Sequence, residues 1–160
     1  MNTGVMNLLV LSVLGIGYMF AFTKLQQAFF AKFSNPSKNQ AVLIVFMSSL
    51  LMAGINLYHI ADLTNQALTF FVNEKQLSNA FLYAIGYFAG MWVFSLIFFR
   101  LSYLAVGILT PENEDVELTK NNVELAWTHA VILVVLAFVI APALTNIAAG
   151  FIPYPKFPSV

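Results

Sequence analysis

The chain is 160 residues long, 60% hydrophobic and 9% charged, with a net charge of zero and no cysteine. With a mean hydropathy of +0.82, this composition excludes a water-soluble globular domain, and the charge balance provides no general attraction to nucleic acid. The lack of cysteine removes disulfides, thiolate metal sites and cysteine nucleophiles.

Four apolar runs follow in chain order: Val5–Thr23, Ala41–Ile60, Ala80–Phe99 and Leu125–Ala149. Each reaches the roughly 20 residues a helix needs to cross about 30 Å of hydrocarbon, and runs this continuous do not alternate as barrel strands do. The first run has no basic residue before it and no clean cleavage site, so it is expected to be a retained helix. After it, Leu25, Ala28, Phe29 and Lys32 recur at helical spacing, predicting an amphipathic continuation at the inner headgroups over Lys24–Phe33. "RLSYLAVGI" after the third run is its counterpart. Pro142 inside the fourth run removes a backbone hydrogen bond and is expected to bend that helix. The closing "FIPYPKFPSV" carries three of the six prolines and predicts an extended tail.

Lys24, Lys32, Lys38, Arg100 and Lys120 flank one side of the spans and only Lys75 and Lys156 the other. By the positive-inside rule this places the loops after spans one and three in the cytoplasm and both termini outside.

The chain writes one phrase twice. "SKNQ" at Ser37, Lys38, Asn39 and Gln40 returns as "TKNN" at Thr119, Lys120, Asn121 and Asn122, each time before an apolar run. "LTN" at 63–65 returns at 144–146, and "FTKL" at 22–25 matches "FFRL" at 98–101. The reading is two tandem hairpins, 1–79 and 80–160, as parallel repeats in an all-α membrane fold with four transmembrane helices. The phrase has two readings. In one it is helix chemistry: capping pairs Ser37 with Gln40 and Asn121 with Glu124, and lysines anchored at lipid phosphates. In the other the two copies form a shared site on the cytoplasmic face.

The stretch "ILTPENEDVELTKNNVELAW", residues 108–127, resembles the YjfL-type bacterial inner-membrane family, catalogued as domain of unknown function 350. The resemblance rests on Thr110-Pro111, Asn113-Glu114 and Leu118 through Asn122, followed by a span. It implies four helices in two repeated hairpins, a plasma-membrane protein with suggested links to membrane stress, and no established reaction. Glu124, Trp127 and His129 stand here where members of that family tend to carry small residues.

Polar residues inside spans are candidates because lipid penalises them. Asn56, His59 and Asp62 form a drifting stripe on span two, with His59 expected at the outer boundary. It is either an interfacial histidine hydrogen-bonded to Asp62 or half of a pH-sensitive pair facing the periplasm. His129 lies near the opposite end, too far in depth from His59 for both to ligate one haem. Glu124 reads as an acid favoured by the helix dipole. Gly17 with Ala21, and Gly86 with Gly90, are small-xxx-small faces that pack either the four helices or neighbouring chains. No HExxH, phosphate loop or catalytic triad is legible.

The functional reading is a non-enzymatic, oligomeric inner-membrane subunit with a structural or interaction role, needing no cofactor or metal. The alternative is an oligomeric ion channel or small-solute pathway. The expected partners are the lipid bilayer, copies of the same chain and, through the loop 100–122, another membrane or cytoplasmic protein.

Overall fold

The computed structural model describes residues 3–33, 38–110 and 113–152. They form five helices: α1 (Thr3–Phe30), α2 (Gln40–Asn73), α3 (Leu77–Leu109), α4 (Glu114–Thr119) and α5 (Val123–Ala149). All but the six-residue α4 are long and apolar enough to cross a membrane. Ser37, and the tail from residue 153 onward, lie outside the described residues.

The long helices exceed the apolar runs that announced them. At 1.5 Å per residue, the 34 residues of α2 extend over about 51 Å, well past a hydrocarbon core of about 30 Å. Its extension beyond Ile60 is amphipathic. Leu63, Thr64, Ala67, Leu68 and Phe71 are buried on one face, while Asp62, Asn65 and Gln66 are exposed on the other. α1 likewise continues through Lys24 to Phe30, and α3 through Arg100 to Leu109.

α2 is the axis of the bundle, packed against α1, α3 and α5, whereas α1 and α5 do not touch among the described residues. Its inward face carries Val45, Met52, Ala53 and Ile60, and Phe22, Phe30 and Phe99 close the core near the end that holds α4. Outward faces are apolar as well, with Leu8, Ile16, Phe20, Leu82, Ile108 and Val139 exposed. In water such a surface would aggregate; in lipid it is solvated. The molecule is a multi-pass membrane protein by this pattern.

Within one chain the helices pack on buried alanines such as Ala53, Ala84 and Ala137 and leave space at the glycines of the small-xxx-small faces. A Cβ added at Gly17, Gly86 or Gly90 meets nothing within 4 Å. Gly17, Ala21 and Gly86 are exposed and Gly90 is half-buried. Tyr83 and Tyr87, on the turns beside the α3 glycines, donate to the carbonyls of Phe151 and Ala148, both at 3.2 Å, and hold α3 to the end of α5. Pro142 sits inside a continuous α5, where the Thr145 hydroxyl hydrogen-bonds the Pro142 carbonyl at 2.9 Å.

Candidate functional site

Polar side chains are drawn inward at three depths. Asn7 of α1 donates to Asn65 Oδ1 at 2.9 Å and to the Thr69 hydroxyl at 3.0 Å, both on α2. Deeper, the Ser95 hydroxyl of α3 gives its proton to the Met91 carbonyl at 2.9 Å. It accepts from Asn56 of α2 at 2.7 Å and faces Tyr18 of α1 at 2.6 Å. Three helices meet at that one hydroxyl. Asn56 is fully buried, His59 half-buried and Asp62 exposed, so the stripe of the three drifts from the core to the surface along α2. His59 packs edge-on against the Tyr58 ring, and the exposed Asp62 accepts from Gln66 Nε2 on the next turn of α2 at 3.0 Å. The expected His59–Asp62 hydrogen bond is not among those formed; the two side chains take different neighbours.

The third layer is the site. Asn113 caps α4, its side chain accepting from the amides of Asp115 and Val116, and this turns Glu114 and Leu118 back into the bundle. α5 starts at its own cap, Asn122, and its second turn points His129 at the same place. The ring nitrogen Nδ1 of His129 hydrogen-bonds Glu114 Oε1, and Nε2 lies 2.8 Å from the Ser102 hydroxyl of α3. Tyr103 closes over the imidazole, ring centroids 4.5 Å apart, with Phe99 behind. Ser102 and His129 are fully buried.

The direction of these bonds follows from proton counting. Ser102 has one hydroxyl proton, and the Phe99 carbonyl at 2.7 Å takes it. Its oxygen therefore accepts from His129, which fixes a proton on Nε2. One further proton is then shared between Nδ1 and the Glu114 carboxyl, as imidazolium with carboxylate or as imidazole with carboxylic acid. Burial pushes the Glu114 carboxyl above the usual range, and the His129 hydrogen bond and charge oppose that shift.

The connectivity is that of a serine–histidine–acid triad, which the sequence did not reveal. Its surroundings are not those of a nucleophile. The Ser102 oxygen is sealed from solvent, and the neighbouring backbone amides are engaged in α3, leaving no donors for an oxyanion. The group can store a proton and lock three helices. Glu124, the acid nearer to His129 in sequence, is exposed at the start of α5, whereas Glu114 is the acid that reaches His129. The signal was available: Asn113 before an acidic turn marks a helix start, and Glu114 and Leu118 are spaced i, i+4 on one face.

The repeated phrase meets itself beside this layer. Asn39 caps α2 by accepting from the Val42 amide at 3.0 Å, and its Nδ2 donates to the Leu118 carbonyl at 2.7 Å. From the second copy, Asn121 Oδ1 accepts from the Ala41 amide at 3.0 Å. The start of α2 is thus capped by one asparagine from each copy. The predicted capping residues move accordingly: the caps are Asn39 and Asn122, while Asn121 adopts a left-handed backbone at φ 62°. Lys120 and Asn122 bind the Glu117 carboxylate at 2.7 and 2.9 Å and hold it below the usual range. Lys38 and Thr119 are exposed. Lys32 pairs with Asp115 at 2.6 Å, tying the end of α1 to α4. Among the described residues no cluster of metal-ligating side chains occurs.

Four long membrane-compatible helices, braced by buried polar layers and closed at one end by a short docked helix, define an integral membrane bundle. The chain belongs to the family described as Domain of Unknown Function (DUF350), whose model matches residues 1–144. No curated protein and no solved structure matches it.

Proposed function

We propose that this chain is a non-enzymatic subunit of the bacterial inner membrane that works by assembling with copies of itself, its two hairpins being tandem copies of one ancestral unit. The observation that carries this reading is the pair of empty small-residue faces. Gly86 and Gly90 lie on one side of α3, a side chain there would meet nothing within the chain, and in lipid close helix contact depends on such faces. The polar groups favour the same role over a permeation path, because the paired ones bond helix to helix inside each bundle.

Gly90→Leu tests the assembly. Leucine is a better helix former than glycine by somewhat under 1 kcal/mol, and a Cβ at Gly90 meets nothing in the monomer, so its own fold is expected to be retained. The wild type should run as a defined oligomer in mild detergent and in nanodiscs, and the variant as smaller species with unchanged helicity. A wild type that is monomeric in both media removes the reading, as would substrate turnover dependent on His129.

Orientation follows from the basic residues. The junction of Asn39 with Leu118 brings the loops after α1 and α3 to one end of the bundle, and five of the seven basic residues belong to that side by the sequence count. Single cysteines at Lys38 and Lys120, both exposed, should be labelled in cells only after the inner membrane is opened. Labelling of both in intact cells would invert the orientation.

A further inference from the structure

α1 and α3 run in the same direction, and of the long helices in contact they touch most sparsely. Hollows follow one another down the seam between them. The outer one, about 410 Å³, is lined by Gly17, Ala21, Ala89 and Trp92 among others. One turn further along both helices, at Leu25 and Leu96, lies a second of about 300 Å³. Phe29 and Arg100 line this hollow and also a third, of about 590 Å³, which reaches α4. The seam is apolar along its length and polar at that end.

Its charges are ordered. Arg100 and Lys32 both lie against the Phe29 ring, the guanidinium carbon 5.1 Å and the ammonium nitrogen 4.3 Å from its centroid. Lys32 pairs with Asp115, and Arg100 makes no ion pair among the described residues. Glu114 and Asp115, on α4, line the same hollow beyond them; Asp115 is exposed, while the Glu114 carboxyl is buried against His129. Between the apolar hollow and the cations sits Gln26, only 2% exposed and with its side-chain carbonyl oxygen unpaired. Turned over, that amide offers its NH2 to an acceptor.

The geometry points to a bound phospholipid with an amine-bearing headgroup, of the phosphatidylethanolamine class, seated in the α1–α3 seam from the leaflet on the α4 side. Its parts follow the order of the site. An acyl chain lies against Leu25, Ala28 and Leu96, and an ester carbonyl reaches Gln26. The phosphate meets Arg100 and Lys32, and the ammonium meets Asp115. Asp115, exposed beside the two cations, gives an ammonium the carboxylate partner that a phosphatidylglycerol headgroup has no cation to use, which favours the amine-bearing lipid.

Native mass spectrometry of the full chain, purified and offered defined lipids, tests this. One phosphatidylethanolamine should survive delipidation per chain, with phosphatidylglycerol bound about tenfold more weakly. Arg100→Gln should lose about tenfold in retention, as expected for a charge-assisted phosphate contact, while Arg100→Lys keeps part of it. Asp115→Asn should narrow the preference for the amine headgroup. Ala28→Trp, which fills the apolar hollow and leaves every charge in place, should also lower retention, so that the result does not depend on the folding of one variant. Circular dichroism confirms that each variant compared is helical. Equal retention of the two lipids, displacement of the lipid by inorganic phosphate alone, or retention unchanged in both Arg100→Gln and Ala28→Trp overturns the assignment.

Discussion

His129→Ala should be the most damaging single substitution in the chain, costing about 3–5 kcal/mol, the usual penalty when one member of a buried ionisable pair is removed. The loss has two parts. Glu114 is left buried with neither carboxyl oxygen bonded, since Oε2 already lacks a partner, and the Ser102 hydroxyl loses its donor. A cavity the size of an imidazole adds to the cost. Unfolding in mild detergent, followed by circular dichroism, measures it. The pair of substitutions His129→Leu with Glu114→Leu should recover much of the loss, because apolar residues of similar volume replace both charges. Were His129→Ala as stable as wild type, the buried layer would not be what holds α4 and α5 to α3.

Glu114→Gln separates the proton from the packing. Glutamine keeps a donor for Nδ1 of His129, so the fold should lose only about 1 kcal/mol, the worth of one ordinary hydrogen bond. Its effect on pH dependence is larger in kind. Burial raises the Glu114 pKa in the folded protein, so that state keeps its proton where the unfolded chain has released it. Stability therefore falls as pH rises from the unfolded value, about 4.3, through the folded one. In Glu114→Gln that slope should be absent.

The helices were legible because lipid demands continuous apolar length, which a sequence displays directly. Their ends were not. Leu63, Ala67 and Phe71 continue the buried face of α2, but Asp62, Asn65 and Gln66 near them lower the local hydropathy, so the apolar run ends at Ile60. The buried layers were hidden for another reason. Ser95 and Ser102 are small residues in apolar runs, and only the packing of α3 against α2 and α5 gives them Asn56 and His129 as partners. Glu114 was harder still, because its contact with His129 needs the cap at Asn113, the turn of α4 and the cap at Asn122 all in place. The repeated phrase was the exception. Its polar residues were visible, and what the sequence lacked was the register that makes Asn39 and Asn122 the caps and sets Asn121 against the start of α2.

The junction of those two copies gives the second large effect. Asn121 combines two properties, a left-handed backbone and a side-chain oxygen on the Ala41 amide, and three substitutions separate them. Asn121→Gly keeps the backbone at ease but strips the acceptor from a buried α2 amide, which costs about 1–3 kcal/mol. Asn121→Ala loses the same bond and adds left-handed strain of about 1–2 kcal/mol, so it should be the least stable of the three. Asn121→Asp retains the acceptor and tolerates the conformation, and should stay near wild type. Asn39→Ala removes the other half of the cap, worth about 0.5–2 kcal/mol, together with the bond to the Leu118 carbonyl. Because Asn39 and Asn121 share the first turn of α2, Asn39→Ala with Asn121→Gly should cost less than the sum of the two, since a turn already frayed by one loss has less to lose from the other. Strict additivity, or an Asn121→Gly variant that melts with the wild type, would mean that each copy of the phrase caps only its own helix.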